Sequence, residues 1–339
     1  MQYREYTDII RPKTSNLILC FGIILLLWIG IIPDNTIIPV ESLVMNNSPL
    51  AFVLSQNMDF LSFPFNFLPM VLLGLISYFL IWFNEDYSFI SVRSILPAFF
   101  FIIISSLLFR PYAFITFIVI LLVFFIIFSC FHLYENPSGS PSVSLFNTGL
   151  LLGVTTLFSL SCFSYILLLI VYYYRIKALS LKTFLAFIMG LMVPYLYTIG
   201  GFYFTGNITL LGNYFTNWHV GGGVSLWHQL SDSTLVYVGV VALLTIFSLV
   251  RIFFMSSHQT IKNRQESMFL VHAFLLTVIF LLLGASDTFI LLPIAVFLAS
   301  FLLGQAFSSE YNLVIKILLG IFIVSSVLFL IFPDYNWEV

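Results

Sequence analysis

From Ser94 to Leu133 the chain carries a single charged side chain, Arg110. Two long apolar runs, Ile95–Phe109 and Ala113–Phe131, flank the triplet Arg110-Pro111-Tyr112. Hydrocarbon offers no partner to a free backbone N–H or C=O, so runs this apolar enter a membrane as helices that satisfy their own backbones. Pro111 suits the first turn of a returning helix, where its missing N–H costs nothing. The stretch therefore predicts a transmembrane hairpin with one arginine at its tip.

The rest of the chain follows the same logic. Of its 339 residues, 8% are charged and 61% are apolar, against about 25% charged in a soluble domain. The fold class expected is all-α, a polytopic transmembrane helical bundle in one domain over residues 1–339. The 40 phenylalanines and 17 tyrosines fit lipid-facing and interfacial positions. A net charge of −2 gives no basic surface for nucleic acid. Cys20, Cys130 and Cys162 each sit inside an apolar run, which reads as small core residues and not as disulfides or ligands. The first apolar run is followed by Ile32-Pro33-Asp34 without a small-residue cleavage pattern, so it reads as a retained span.

In order, the expected spans are Asn16–Ile32, Phe60–Phe83, the two arms of the hairpin, Phe146–Leu160, Ser164–Tyr174, Thr183–Phe204, Thr234–Phe254, Met268–Leu283, Asp287–Phe307 and Asn312–Phe332, about eleven in all. Phe146–Leu160 and Ser164–Tyr174 are short. The alternative is one long helix bent near Ser161, which would reverse everything after it. Two long loops, 34–59 and 205–233, interrupt the pattern. Within the first, Leu50–Leu61 is amphipathic enough to lie flat at the interface. The second carries Gly221-Gly222-Gly223, a flexible turn with no following GK[ST].

Basic residues decide orientation. With the N-terminus in the cytoplasm and eleven spans, Arg4, Arg11, Lys13, Arg93, Arg175, Lys177, Lys182, Arg251, Lys262, Arg264 and Lys316 fall on or near the cytoplasmic side, eleven of the twelve in the chain. Merging Phe146–Leu160 with Ser164–Tyr174 would put Arg175, Lys177 and Lys182 outside, so charge favours two spans. The C-terminus is then outside, and the expected location is a bacterial inner membrane, with membrane lipid as the first partner.

On this topology the outer face collects Asp34, Glu41, Asp59, Arg110, His219, His228, Asp232 and Asp287. Arg110 stands alone there as a cation. Its ordinary role is an interfacial snorkel or a partner for Asp287 or Asp34. Its sharper role is an anion clamp, since a guanidinium fork suits phosphate or carboxylate. Asp34 and Asp287 are the catalytic candidates. Each also has a plain reading, Asp34 as a helix end in the polar zone and Asp287 as an N-cap after Ser286. Trp218 and Trp227 fit interfacial anchoring or stacking on a sugar ring, and with His219 and His228 they complete the candidate substrate-binding set. The histidine spacing, with Asp232 four residues after His228, is no zinc signature. No metal is expected, and no nucleotide or haem motif implies a cofactor. His272 lies in a span near its cytoplasmic end, where packing is its expected role. No charge lies mid-span in the manner of a proton relay.

Three stretches carry a resemblance: Arg93-Ser94-Ile95-Leu96-Pro97, the run Leu145-Phe146-Asn147-Thr148-Gly149-Leu150-Leu151-Leu152-Gly153 with Pro194-Tyr195, and Asp287 with Leu292-Pro293. Together they resemble an uncharacterised family of bacterial polytopic inner-membrane proteins, for which no catalytic residues transfer. The arrangement is also loosely similar to integral-membrane glycosyltransferases and polysaccharide polymerases, which hold a lipid-linked sugar with outer arginines and a carboxylate in the first outer loop.

Three functions follow as expectations. The first is an enzyme of envelope glycan assembly using a polyprenyl-phosphate-linked substrate at the outer leaflet. The second is a non-catalytic membrane subunit bound to other membrane proteins of a larger envelope complex. The third, a transporter, is disfavoured by the few polar mid-span residues.

Overall fold

In a computed structural model, the protein is described over residues 14–28, 48–56, 68–87, 94–109, 113–135, 140–218, 232–255, 260–285, 287–308 and 312–331. The helices in chain order are α1 (Thr14–Trp28), α2 (Pro49–Gln56), α3 (Leu68–Tyr87), α4 (Leu96–Leu108), α5 (Ala113–Glu135), α6 (Pro141–Phe158), α7 (Tyr165–Arg175), α8 (Leu181–Phe204), α9 (Ile208–Asn217), α10 (Asp232–Met255), α11 (Ile261–Leu282), α12 (Thr288–Ser308) and α13 (Leu313–Ile331), with a 3-10 turn, Leu160–Ser164, between α6 and α7. No strand occurs among the described residues. Among the described residues, eight helices are long and apolar enough to cross a membrane, and Ile18–Trp28, Leu96–Leu108 and Leu160–Arg175 are shorter apolar segments. The chain is a membrane protein by this measure.

The contacts fix which helix ends lie together. At one end, the Trp28 indole donates to Ser106 Oγ at 3.1 Å, and the Tyr237 and Ser326 hydroxyls meet at 3.2 Å. At the other end, Gln305 Nε2 donates to Ser267 Oγ at 2.8 Å, Asn84 donates to the Ser94 carbonyl at 3.0 Å, and Lys262 bridges to Glu135. The pair α6 and α7 is a hairpin and not one bent helix. The Tyr173 hydroxyl, near the end of α7, donates to Thr148 Oγ1 at 2.9 Å, near the start of α6, a meeting that a continuous rod would forbid.

With directions settled, charge sorts by end. Among the described residues, Arg175, Lys177, Lys182, Arg251, Lys262, Arg264 and Lys316 all lie in the helix turns or links opposite the end that carries Asp287. The short helices α2 and α9 lie at the Asp287 end. There Phe52 on α2 faces Phe202 near the end of α8, with ring centroids 6.3 Å apart.

Phenylalanine fills the core, a difference from the expected lipid-facing role. Phe83, Phe101, Phe117, Phe124, Phe131, Phe297 and Phe301 are all fully buried. Phe83 meets Phe131 at 5.4 Å and Phe301 at 5.8 Å, and Phe297 meets Phe301 at 5.3 Å. Lipid is as apolar as these side chains, so association comes from close packing and not from escape from water. Flat rings in edge-to-face pairs supply that density. The three cysteines are free and buried, as small core residues should be.

The closest helix contact joins α6 to α8. A Cβ on Gly149 would stand 2.2 Å from the Phe187 carbonyl oxygen, and one on Gly190 would stand 2.1 Å from that of Phe146. The residues Gly149 and Gly153 are four apart and face α8 together, the small-residue spacing that lets two backbones touch. Gly190→Ala should therefore lower stability by about 1–3 kcal/mol, because the clash is with backbone. Gly239→Ala, where nothing lies within 4 Å, should be neutral or stabilising, by up to about 1 kcal/mol. Thermal unfolding of both variants in detergent checks the contrast.

Candidate functional site

The 3-10 turn between α6 and α7 is where the bundle has to solve a local problem. A helix leaves its last carbonyls without partners, and Ser159 turns to an extended conformation, φ −147 and ψ 111. The Ser159 N–H still reaches the Thr155 carbonyl at 3.1 Å. The Thr156 carbonyl is taken by the Tyr214 hydroxyl from α9, at 2.6 Å. Thr156 Oγ1 donates to the Gly153 carbonyl at 2.9 Å and accepts from the Tyr195 hydroxyl of α8 at 2.7 Å. Polar side chains from two other helices thus close the end of α6.

Asp287 completes the arrangement from the start of α12. Its Oδ2 accepts from the Ser159 hydroxyl and from the Ser161 N–H at 3.0 Å, and its Oδ1 accepts from the Ser161 hydroxyl. The Trp218 indole donates to the same Ser161 oxygen at 3.4 Å. The carboxylate therefore reaches across to the α6–α7 turn. Its own helix starts from its backbone carbonyl, which accepts from Ile290 N at 3.0 Å. A carboxylate has about four acceptor positions. Three are used among the described residues, and the remaining one is on Oδ1.

Of the residues expected from sequence, Asp287 and Trp218 meet around Ser161. Asp34, Arg110, His219, Trp227 and His228 lie outside the described residues, as do Glu41 and Asp59. Asp232 opens α10 at the same end. Among the described residues no group of three or more His, Cys, Asp or Glu side chains could hold a metal ion. Tyr195 and Tyr214 were missed by sequence reasoning. Tyr195 was visible in Pro194-Tyr195, but nothing in one tyrosine among 17 points to a hydroxyl partner a helix away.

Burial pushes the Tyr214 phenol well above its ordinary value, and the negative charge of Asp287 adds to the effect. The hydroxyl consequently stays a neutral donor beside the carboxylate far into the alkaline range. Comparison with family models, with characterised proteins and with solved structures gives no match, so the reading of the site rests on its own geometry.

Two outcomes are expected. Ser161→Ala removes one donor to Asp287 and the partner of Trp218, and should lower stability by about 1–3 kcal/mol in thermal unfolding. In an ultraviolet titration, the difference between the unaltered protein and Tyr214→Phe should show no phenolate at pH about 10, where an ordinary tyrosine is half ionised.

Proposed function

We propose that the protein is a membrane enzyme of envelope glycan assembly, working at the Asp287 end on a polyprenyl-phosphate-linked substrate. In this reading the chain crosses a bacterial inner membrane eleven times, with its N-terminus and basic end in the cytoplasm and its C-terminus outside. The observation that carries the reading is the Asp287 carboxylate, held by three donors beside the Trp218 indole with one acceptor position unused among the described residues. It lies at the end from which the described lysines and arginines are absent.

The chemistry asked of this end is modest. A hydroxyl of the acceptor sugar gives its proton to Asp287 as it attacks the anomeric carbon. The new bond joins that oxygen to the carbon, and the bond from the carbon to the phosphate oxygen breaks. The electron pair leaves with the lipid phosphate, whose charge the Arg110 guanidinium clamps. Trp218 offers a flat face for a sugar ring, with Trp227, His219 and His228 as further contacts from the same loop. Asp34 is the alternative base.

One observation favours a second reading, a non-catalytic subunit of a larger complex. The three donors on Asp287 are also what a purely structural clamp between α12 and the α6–α7 turn would need. The readings separate in cells that carry the variant as sole copy. On the enzyme reading, Asp287→Asn and Arg110→Ala each lower lipid-linked glycan product by about 100-fold or more while folded protein is retained. Unchanged product with folded protein in both variants overturns it. Loss of folded protein in Asp287→Asn alone, with Arg110→Ala fully active, supports the clamp.

A further inference from the structure

Glu266 lies at the end of the bundle that the candidate site does not use. It sits in the second turn of α11 and is 1% exposed, yet neither carboxylate oxygen receives a hydrogen bond among the described residues. Two amide oxygens, Gln265 Oε1 on the same helix and Gln305 Oε1 on α12, are likewise buried without a donor. Gln305 is fixed in place: its Nε2 donates to Ser267 Oγ at 2.8 Å, and Ser267 Oγ donates in turn to the Asn263 carbonyl at 2.7 Å.

Removing a carboxylate from water without a compensating partner is strongly unfavourable. The orphaned amide oxygens of the adjacent Gln265 and of Gln305, which is bonded to the next residue, Ser267, are acceptors too, so among the described residues the group lacks a positive centre and not another oxygen. Among the described residues, the charged and titratable neighbours do not supply one within hydrogen-bond reach. Lys262, one turn earlier on α11, attracts Glu266 through space but donates to Glu135 at the end of α5, which repels it. On α7, Tyr172 gives its hydroxyl to the Cys130 carbonyl at 3.4 Å, and Arg175 lines the outer groove beside Gln265. Tyr134 on α5 faces Tyr172 electrostatically. Along its whole length α12 carries no titratable side chain.

We propose that Glu266 is the anionic ligand of a site for one small monovalent cation, a proton or a sodium ion, at the basic end of the bundle. A single carboxylate balances a single positive charge. Amide and carboxylate oxygens suit a hard ion, whereas a divalent ion would call for further acids. An ionisable side chain in a span is costly and marks a place where ions bind or pass. The site is independent of the glycan reading, since it lies at the other end and shares no residue with it.

The test uses the full chain in lipid nanodiscs and an apolar carbodiimide, which modifies carboxyl groups carrying a proton, with the labelled residue located by mass spectrometry. Labelling of Glu266 that is lost as pH rises and is indifferent to sodium identifies a proton. Labelling that sodium chloride suppresses and choline chloride does not identifies sodium. Thermal unfolding of the unaltered protein and Glu266→Gln across the same pH and sodium series covers a reagent that cannot enter. A midpoint difference of about 2 °C or more that changes with pH or sodium supports the site, with Glu266→Asp standing in if the glutamine variant does not fold. The proposal is overturned if Glu266 is never labelled and the variant follows the unaltered protein at every pH and sodium concentration.

Discussion

Backbone satisfaction at the α6–α7 turn governs how this bundle is put together. A chain that doubles back at the level of Ser159–Ser164 exposes carbonyls and amides that lipid cannot bond. Two of them are answered from other helices, by the Tyr214 hydroxyl of α9 at the Thr156 carbonyl and by the Asp287 carboxylate just before α12 at the Ser161 amide. The same groups that close the turn are those on which the proposed chemistry of this end rests. The carboxylate is preorganised because the fold requires it to be there, and the indole of Trp218 is drawn in through the serine that holds it.

Elsewhere the helices are held by shape. Glycines at 149, 153 and 190 bring α6 against α8, and Gly304 lets the Pro97 ring of α4 settle on α12, where a Cβ would approach Pro97 Cγ to 2.3 Å. Phenyl rings fill the space between α3, α5 and α12. In a solvent as apolar as the side chains themselves, such fits are what distinguishes one arrangement of helices from another. α8 and α13 bury little of their length and present apolar faces such as Leu185, Met189, Val324 and Val327 outward, as lipid-facing helices do.

Much of this was legible in the chain. Apolar runs placed the helices, because a span announces itself by length and lack of charge. The basic residues anticipated a basic end, where all the described lysines and arginines lie, and the hairpin at Ser161 followed from where Arg175, Lys177 and Lys182 had to lie. Asp287 and Trp218 were singled out and do meet. Three things were not legible, each for a physical reason. Tyr195 and Tyr214 act through hydroxyl contacts between distant helices, which no local pattern encodes. The spacing of Gly149 and Gly153 was present, but which helix would press against it was not. Glu266 reads as part of a polar link because Lys262, Arg264 and Gln265 precede it, and only packing shows that the helix begins earlier and draws the acid inside.

The brevity of two segments has a consequence for the surrounding bilayer. α4 has 13 residues and α7 has 11, or about 20 and 16 Å at about 1.5 Å per residue, and the 3-10 turn before α7 adds about 10 Å, against about 30 Å of hydrocarbon. α4 is enclosed by protein, so its shortfall is hidden. α7 shows Leu167, Val171 and Tyr174 on its outer side, and lipid there must compress or tilt to meet it. A short lipid-facing segment of this kind thins the leaflet beside it.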